Sequence, residues 1–206
     1  LDFDFPEYKV LLDQDGTPLR IVKRDRTMAE RLIEECMLIA NETVATHLKN
    51  THRTSVYRIH ESPSEEKLDL FQKVLNYLGQ NLVLSAEGVT PRDFQKILDA
   101  VKGQDIEQVA QIMTLRSMQQ AKYSIENAGH FGLASTCYTH FTSPIRRYPD
   151  LMVHRLLKAD MHWKNGYSKR DVEEAFLAGA VEHSSIQEQV ATEAERETTD
   201  LKKTQY

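Results

Sequence analysis

The chain has 206 residues, 40% hydrophobic and 28% charged, with a formal net charge of −5. That composition suits one globular domain with a real core, and the acidic balance excludes a protein that holds nucleic acid by bulk positive charge. Any nucleic-acid site must be a local basic patch. No apolar run approaches the roughly 20 residues of a membrane helix, and no signal-peptide pattern opens the chain. Cys36 and Cys137 lack metal-ligand spacing and fit buried free thiols in a reducing cytoplasm.

Residues 1–12 begin in alternation, with Leu1, Phe3 and Phe5 on one face and Asp2 and Asp4 on the other. Asp13-Gln14-Asp15-Gly16 predicts a turn, and Leu19 to Val22 a returning strand. Asp2 and Asp4 read as a solvated strand face, because nothing nearby completes a cation's coordination set. Thr27-Met28-Ala29-Glu30 is a capping box, and the helix behind it runs to about Leu48. Ala29, Leu32, Cys36, Ala40, Val44 and Leu48 form its expected buried face. Glu34 and Glu35 fall together early in it, as surface charge on residue type alone, and Asn41 lies two turns on.

Val56 to His60 predicts a short strand. Ser62-Pro63-Ser64-Glu65 starts a second helix with Pro63 at its first position, continuing through Leu68, Phe71, Val74, Leu75 and Leu78. His60 has no second ligand at metal spacing and reads as structural. Thr90-Pro91-Arg92-Asp93 opens a third helix, and Asp105 a fourth along Ile106, Val109, Ile112 and Met113, a stripe expected to be core. Gly129 to Ala134 reads as a tight strand entry whose glycines allow close backbone approach. Residues 165–167 predict a turn. Ser168 and Asp171 are expected to cap a long last helix, with Val172, Phe176, Gly179, His183, Ile186, Val190 and Ala194 in period and His183 in the core. These elements give a mixed α/β (α+β) fold dominated by helices, with a few strands near the start and before Thr142. The chain opens in what reads as mid-strand and closes in what reads as mid-helix, so a portion of a longer protein is expected.

The central stretch is Tyr138-Thr139-His140-Phe141-Thr142-Ser143-Pro144-Ile145-Arg146-Arg147-Tyr148-Pro149-Asp150. Its first four residues alternate like a strand. Thr142-Ser143-Pro144 is a helix-start signature, with Ser143 as cap and Pro144 at the first helical position. Hydroxyls, helix-start amides and two guanidinium groups then converge, as a phosphate site requires. Residue chemistry alone equally allows an ordinary strand–turn–helix with two solvated arginines.

The string Phe141 to Asp150 resembles, nearly letter for letter, the signature of the RNB family of exoribonucleases, the ribonuclease R and ribonuclease II group. His130-Phe131-Gly132-Leu133 and the Arg-Arg-Tyr-Pro form of the motif look nearer to the ribonuclease R branch. Leu32 to Met37 and Tyr57-Arg58-Ile59-His60-Glu61 are similar to further segments of the family. The resemblance runs across residues 1–206 and implies the C-terminal portion of an RNB catalytic domain.

That family removes nucleotides from an RNA 3′ end by processive hydrolysis with magnesium, releasing nucleoside 5′-monophosphates. The resemblance gives Arg146 the contact to the scissile phosphate, with Thr142, Ser143 and Arg147 beside it. The family accepts lysine at the second arginine. It gives Glu34 or Glu35, of which Glu35 is favoured, a contact to the terminal ribose. It makes Phe3 or Phe5, of which Phe3 is favoured, an aromatic packed on the terminal bases and brings Glu195 near the RNA. The family's magnesium is held by an aspartate cluster from the first half of the domain. No Asp-x-Asp-Asp string occurs here, so no metal ligand is assigned to this chain. Flanking oligonucleotide-binding barrels, single-stranded RNA as partner, a monomeric longer protein and a cytoplasmic setting complete the implied picture. A non-catalytic RNA-binding module derived from the same fold is the alternative.

Overall fold

The structure is a computed structural model that describes residues 7–24, 26–51, 54–79, 88–161 and 173–206. Phe3, Phe5, Asp2 and Asp4, and the turn and cap expected at 165–171, lie outside the described residues. The fold is mixed α/β and helix-dominated, as the caps and periodicities imply.

A hairpin pairs β1 (Glu7–Leu12) with β2 (Pro18–Arg24). Its turn is built by Asp13, whose Oδ1 accepts from the amides of Asp15 at 2.9 Å and Thr17 at 2.8 Å. Gly16 takes the left-handed φ of 80° that such a turn needs. Helix α1 (Met28–Asn50) follows, and its Thr27–Glu30 capping box is formed. Strand β3 (Tyr57–Ile59) pairs with β4 (Lys122–Ser124), a three-residue strand with no sequence signal of its own. Between them run α2 (Glu65–Tyr77), α3 (Pro91–Val101) and α4 (Glu107–Ser117). Helices α5 (Tyr148–Asp160) and α6 (Glu174–Gln205) complete the described elements.

Two larger apolar clusters, and a smaller one of Ala45, Tyr57, Ile59 and Cys137, hold the described elements together. Leu48, Val56, Tyr123, Met152, Val153, Leu156, Leu177 and Val181 join α1, the β3–β4 pair, α5 and α6. Phe71, Leu75, Phe94, Ile97 and Met118 join α2, α3 and the end of α4. Phe71 and Phe94 stack at 5.2 Å, and the Phe131 edge meets Phe94 at 5.7 Å. The second cluster therefore props the 3-10 turn Phe131–Leu133, which lies beside the central stretch.

Several local readings shift. Helix α2 is capped by Ser64, not Ser62, so Pro63 precedes the helix. Helix α4 starts two residues after Asp105 and buries its small face, Ala110, Thr114 and Ser117, while Val109 and Ile112 face out. The first three turns of α1 are exposed, so Ala29, Leu32 and Cys36 are not core, and burial begins at Asn41. Cys137 is buried as expected. In place of the expected strand entry, His130 makes single bridge pairings to His60 and Ser135 and Phe131–Leu133 forms a 3-10 turn, but the close approach is real. A Cβ on Gly132 would lie 2.7 Å from His60 Nδ1.

Candidate functional site

From Tyr138 to Phe141 the central stretch forms no regular strand and is tied down by single hydrogen bonds from several elements. Arg58 N–H donates to the Tyr138 carbonyl at 2.9 Å, and Thr139 Oγ1 donates to the Val56 carbonyl at 2.6 Å. Asn41, buried on α1, supplies the rest. Its Nδ2 donates to the Tyr138 hydroxyl at 2.9 Å, and its Oδ1 accepts from Phe141 N–H at 3.0 Å. The backbone N–H can only donate, so the amide orientation is fixed by its partners. His154 on α5 stacks on Phe141 at 4.1 Å and donates from Nε2 to the Phe141 carbonyl at 2.9 Å.

The next segment corrects the expected helix start. Residues 144–146 form a hydrogen-bonded turn, and α5 begins only at Tyr148, with Arg147 in the N-cap position and Pro149 in the first turn. The Ser143 carbonyl accepts from Arg146 N–H at 3.3 Å and Arg147 N–H at 3.1 Å. Ser143 N–H donates to Asp150 Oδ1 at 2.8 Å. These three amides are thus engaged inside the loop instead of pointing at a ligand. Asp150 is fully buried and also accepts from Arg147 Nη2 at 2.8 Å. The turn projects Ile145 and Arg146 into solvent.

Arg146, Arg147, Tyr148 and Pro149 form one wall of a cleft of about 560 Å3. Tyr123 and the α6 residues His183, Gln187, Glu188 and Glu195 are among its other lining residues. Glu195 and Arg146 thus line one cleft. His183 lines the same cleft and is exposed, so it is not a core histidine. Glu34 and Glu35 are exposed on the early turns of α1 and do not line this cleft, and Glu34 pairs with Arg26 at 2.7 Å. Thr142 is half-buried, and its Oγ1 has no protein partner among the described residues. Asp150, Tyr123 and the Arg58–Glu188 ion pair, which ties β3 to α6, were not singled out from sequence. Only Asp150 carried a signal: a carboxylate three residues after the N-cap position, the spacing of a capping reach-back.

Beneath the turn lies a layer of uncharged rings. Tyr123 shares a hydrogen bond with His140 Nδ1 at 2.8 Å, and the Arg58 guanidinium sits 4.6 Å over the Tyr123 ring. His140, Tyr138, His130 and His60 then meet edge to face in succession. Burial, helped by Arg147 and Arg58, pushes His140 down to about 3. Burial, with His60 and Arg58 adding to it, pushes His130 down to about 4. Burial raises the Tyr123 hydroxyl to about 12. Beside the arginines these rings thus form an uncharged floor.

That floor has a pH signature. In the unfolded chain each histidine titrates near 6.5. The folded state holds His130 and His140 neutral well below that, so the unfolded state takes up more protons as pH falls. Their stabilising contribution is complete above about pH 6.5 and is lost progressively toward pH 3–4. Urea unfolding between pH 7 and 5 should show falling stability, and His140→Gln should flatten that slope. An identical slope in the variant would contradict the assignment. Glu30, held at about 2 by the Thr27 backbone, loses its contribution only at lower pH.

Among the described residues, no three His, Cys, Asp or Glu side chains gather as a metal ion would require. The described residues therefore offer no magnesium site, and no chemical step is assigned to a metal held by them. Among them, no helix is long and apolar enough to cross a membrane.

The RNB domain family matches residues 1–162, more than half of the chain, including the arginine turn and α5. The chain belongs to the RNB-domain family. Ribonuclease R of Aquifex aeolicus is 45% identical over 206 residues, all of this chain and 29% of that protein. Ribonuclease R of Mycoplasma genitalium, solved with ribose-methylated single-stranded RNA, superposes with a TM-score of 0.92 at 30% identity. That match covers 100% of this chain and 32% of the other. Yeast Ssd1, described as a pseudonuclease, matches with a TM-score of 0.66 at 29% identity, over 78% of this chain and 20% of its own. The chain thus spans less than a third of the length of these ribonuclease R relatives. Helix α6, which forms one wall of the cleft, lies beyond the residues matched by the family.

Proposed function

We propose that this chain is the arginine-bearing, C-terminal portion of the catalytic domain of a 3′-to-5′ exoribonuclease. The longer protein acts as a cytoplasmic monomer, hydrolyses single-stranded RNA processively and releases nucleoside 5′-monophosphates. The observation that carries the reading is Arg146: exposed, without an ion pair among the described residues, and projecting into the cleft that Glu195 shares. A guanidinium presents a planar pair of donors matched to two phosphate oxygens. Cleavage of a phosphodiester builds charge on those oxygens, and a fixed donor stabilises that charge more than it stabilises the bound substrate. Arg146 holds the scissile phosphate, with Thr142, Ser143 and Arg147 shaping the turn beneath it. Glu195 on the facing wall and Glu35 or Glu34 on α1 contact the 3′-terminal nucleotides, and Phe3 stacks on a terminal base. Magnesium is held by aspartates outside this chain and supplies phosphate polarisation and water activation there.

The second reading, a non-catalytic RNA-binding module, is favoured by the likeness to the pseudonuclease Ssd1. One experiment separates the two. The longer protein, given 5′-labelled RNA and magnesium, should shorten it from the 3′ end and release nucleoside 5′-monophosphates. Residues 1–206 alone should release none. RNA bound but left intact by the longer protein would establish the module. Trimming by the 206-residue chain would overturn the division of labour.

A further inference from the structure

Two adjacent arginines with equal formal charge have different surroundings. Arg146 is exposed. Arg147 is turned inward, its side chain 19% exposed, with Nη2 on a carboxylate that is 0% exposed. That carboxylate, Asp150, also takes Ser143 N–H, so one group closes the loop at both ends. A charge buried this completely needs its partner, and removing either side leaves the other stranded. Arg147 is the one cation paired with Asp150 among the described residues. Arg147 Nε and Asp150 Oδ2 are both buried without a protein partner among the described residues, so the pair has unused bonding capacity on both sides.

We propose that Asp150 is the positioning residue of the arginine turn: it holds Arg147 out of the RNA path and leaves Arg146 alone to meet the phosphate. This rests on the function proposed above. The carboxylate divides the pair into a brace and a contact. Arg147 then contributes little to RNA affinity, although it adjoins the contact residue and borders the same cleft. Asp150 touches no RNA itself and acts through the loop.

The test uses the longer protein and a ribose-methylated, single-stranded oligonucleotide that resists cleavage. Affinity is measured against salt, because each phosphate contact to a single strand contributes about 0.7 to the slope of log affinity on log salt. Arg147→Gln should leave the salt slope unchanged, whatever it costs the turn in stability, because Arg147 meets Asp150 and no phosphate. A slope shallower by about 0.7 would show that Arg147 contacts phosphate and would overturn the proposal. Asp150→Asn keeps size and shape but strips Arg147 of its counter-charge. The freed arginine should swing toward the cleft and steepen the slope by about 0.7. Single-turnover cleavage of ordinary RNA should fall by up to about a hundred-fold, because small misplacements of a contact group cost that much. The Arg147→Gln/Asp150→Asn double variant should return the slope to the parental value.

An Asp150→Asn protein with parental slope and rate, or with rate and affinity falling together, would contradict the positioning role. If Asp150→Asn does not fold, the Arg147→Gln slope decides alone. If the longer protein binds RNA without cleaving it, the proposed exoribonuclease activity fails while the slopes still report on Asp150. If it binds no RNA, thermal unfolding of the two single variants and the double variant decides. Equal Tm losses in the Asp150→Asn single and the double variant support the pair, and additive losses overturn it.

Discussion

Arg146→Ala in the longer protein should slow single-turnover RNA trimming by roughly a hundred- to a thousand-fold, the usual cost of one transition-state donor. RNA affinity should fall far less. A bound strand touches many groups, whereas the charge that develops at the scissile phosphate faces few. The exposed position of Arg146 at the tip of a hydrogen-bonded turn makes its loss a local event, so stability should hardly change. Arg146→Lys should not restore the rate. An ammonium is a point charge without the planar fork that spans two phosphate oxygens. Equal losses of rate and affinity would make Arg146 an ordinary backbone contact.

Asn41→Ala should destabilise the chain by roughly 2–4 kcal/mol, because each buried group left without its partner costs about 1–3 kcal/mol. The lost groups are the Phe141 N–H and the acceptor contact of the Tyr138 hydroxyl, both on the stretch that enters the arginine turn. Nothing else links α1 side chains to that backbone among the described hydrogen bonds. Thr43→Ala on the exposed side of the same helix should change stability by no more than about 0.5 kcal/mol. Urea unfolding of both variants checks the contrast. A small effect at Asn41 would mean that Arg58, Thr139 and His154 hold the stretch without it.

The helix starts at Thr27 and Thr90 are legible in the sequence because a capping box closes over four consecutive residues and needs no tertiary help. The Asp13–Gly16 hairpin is legible for the same reason. The Ser143–Pro144 signature misleads because its decisive partner, Asp150, lies seven residues away and takes the Ser143 amide. The alternation of Tyr138 to Phe141 misleads in another way. Those residues form no strand: β3 supplies one bond, from Arg58 N–H, and side chains of Asn41 and Thr139 make the others. Helix α4 shows the limit of apolar patterning, since its small residues pack inward and its large ones face out. His183 falls on the apolar period of α6 yet lines the cleft, because a helix of 32 residues buries only Leu177 and Val181. Arg146 and Glu195 are both candidates from the family resemblance, and only the packing of α6 brings the two to one cleft.

The central claim is that the cleft between the 144–149 turn and α6 receives the 3′-terminal phosphates. Photocrosslinking tests it most directly, using the longer protein and a ribose-methylated oligonucleotide with 4-thiouridine at its 3′ end. Mass spectrometry of the crosslinked peptides should find the attachment on the segment around Arg146–Tyr148 or on the α6 segment from His183 to Glu195. Arg146→Ala should leave those crosslinks in place, because binding survives its loss. Crosslinks confined to the β1–β2 hairpin or to α2 and α3, with none on either wall of the cleft, would contradict the claim.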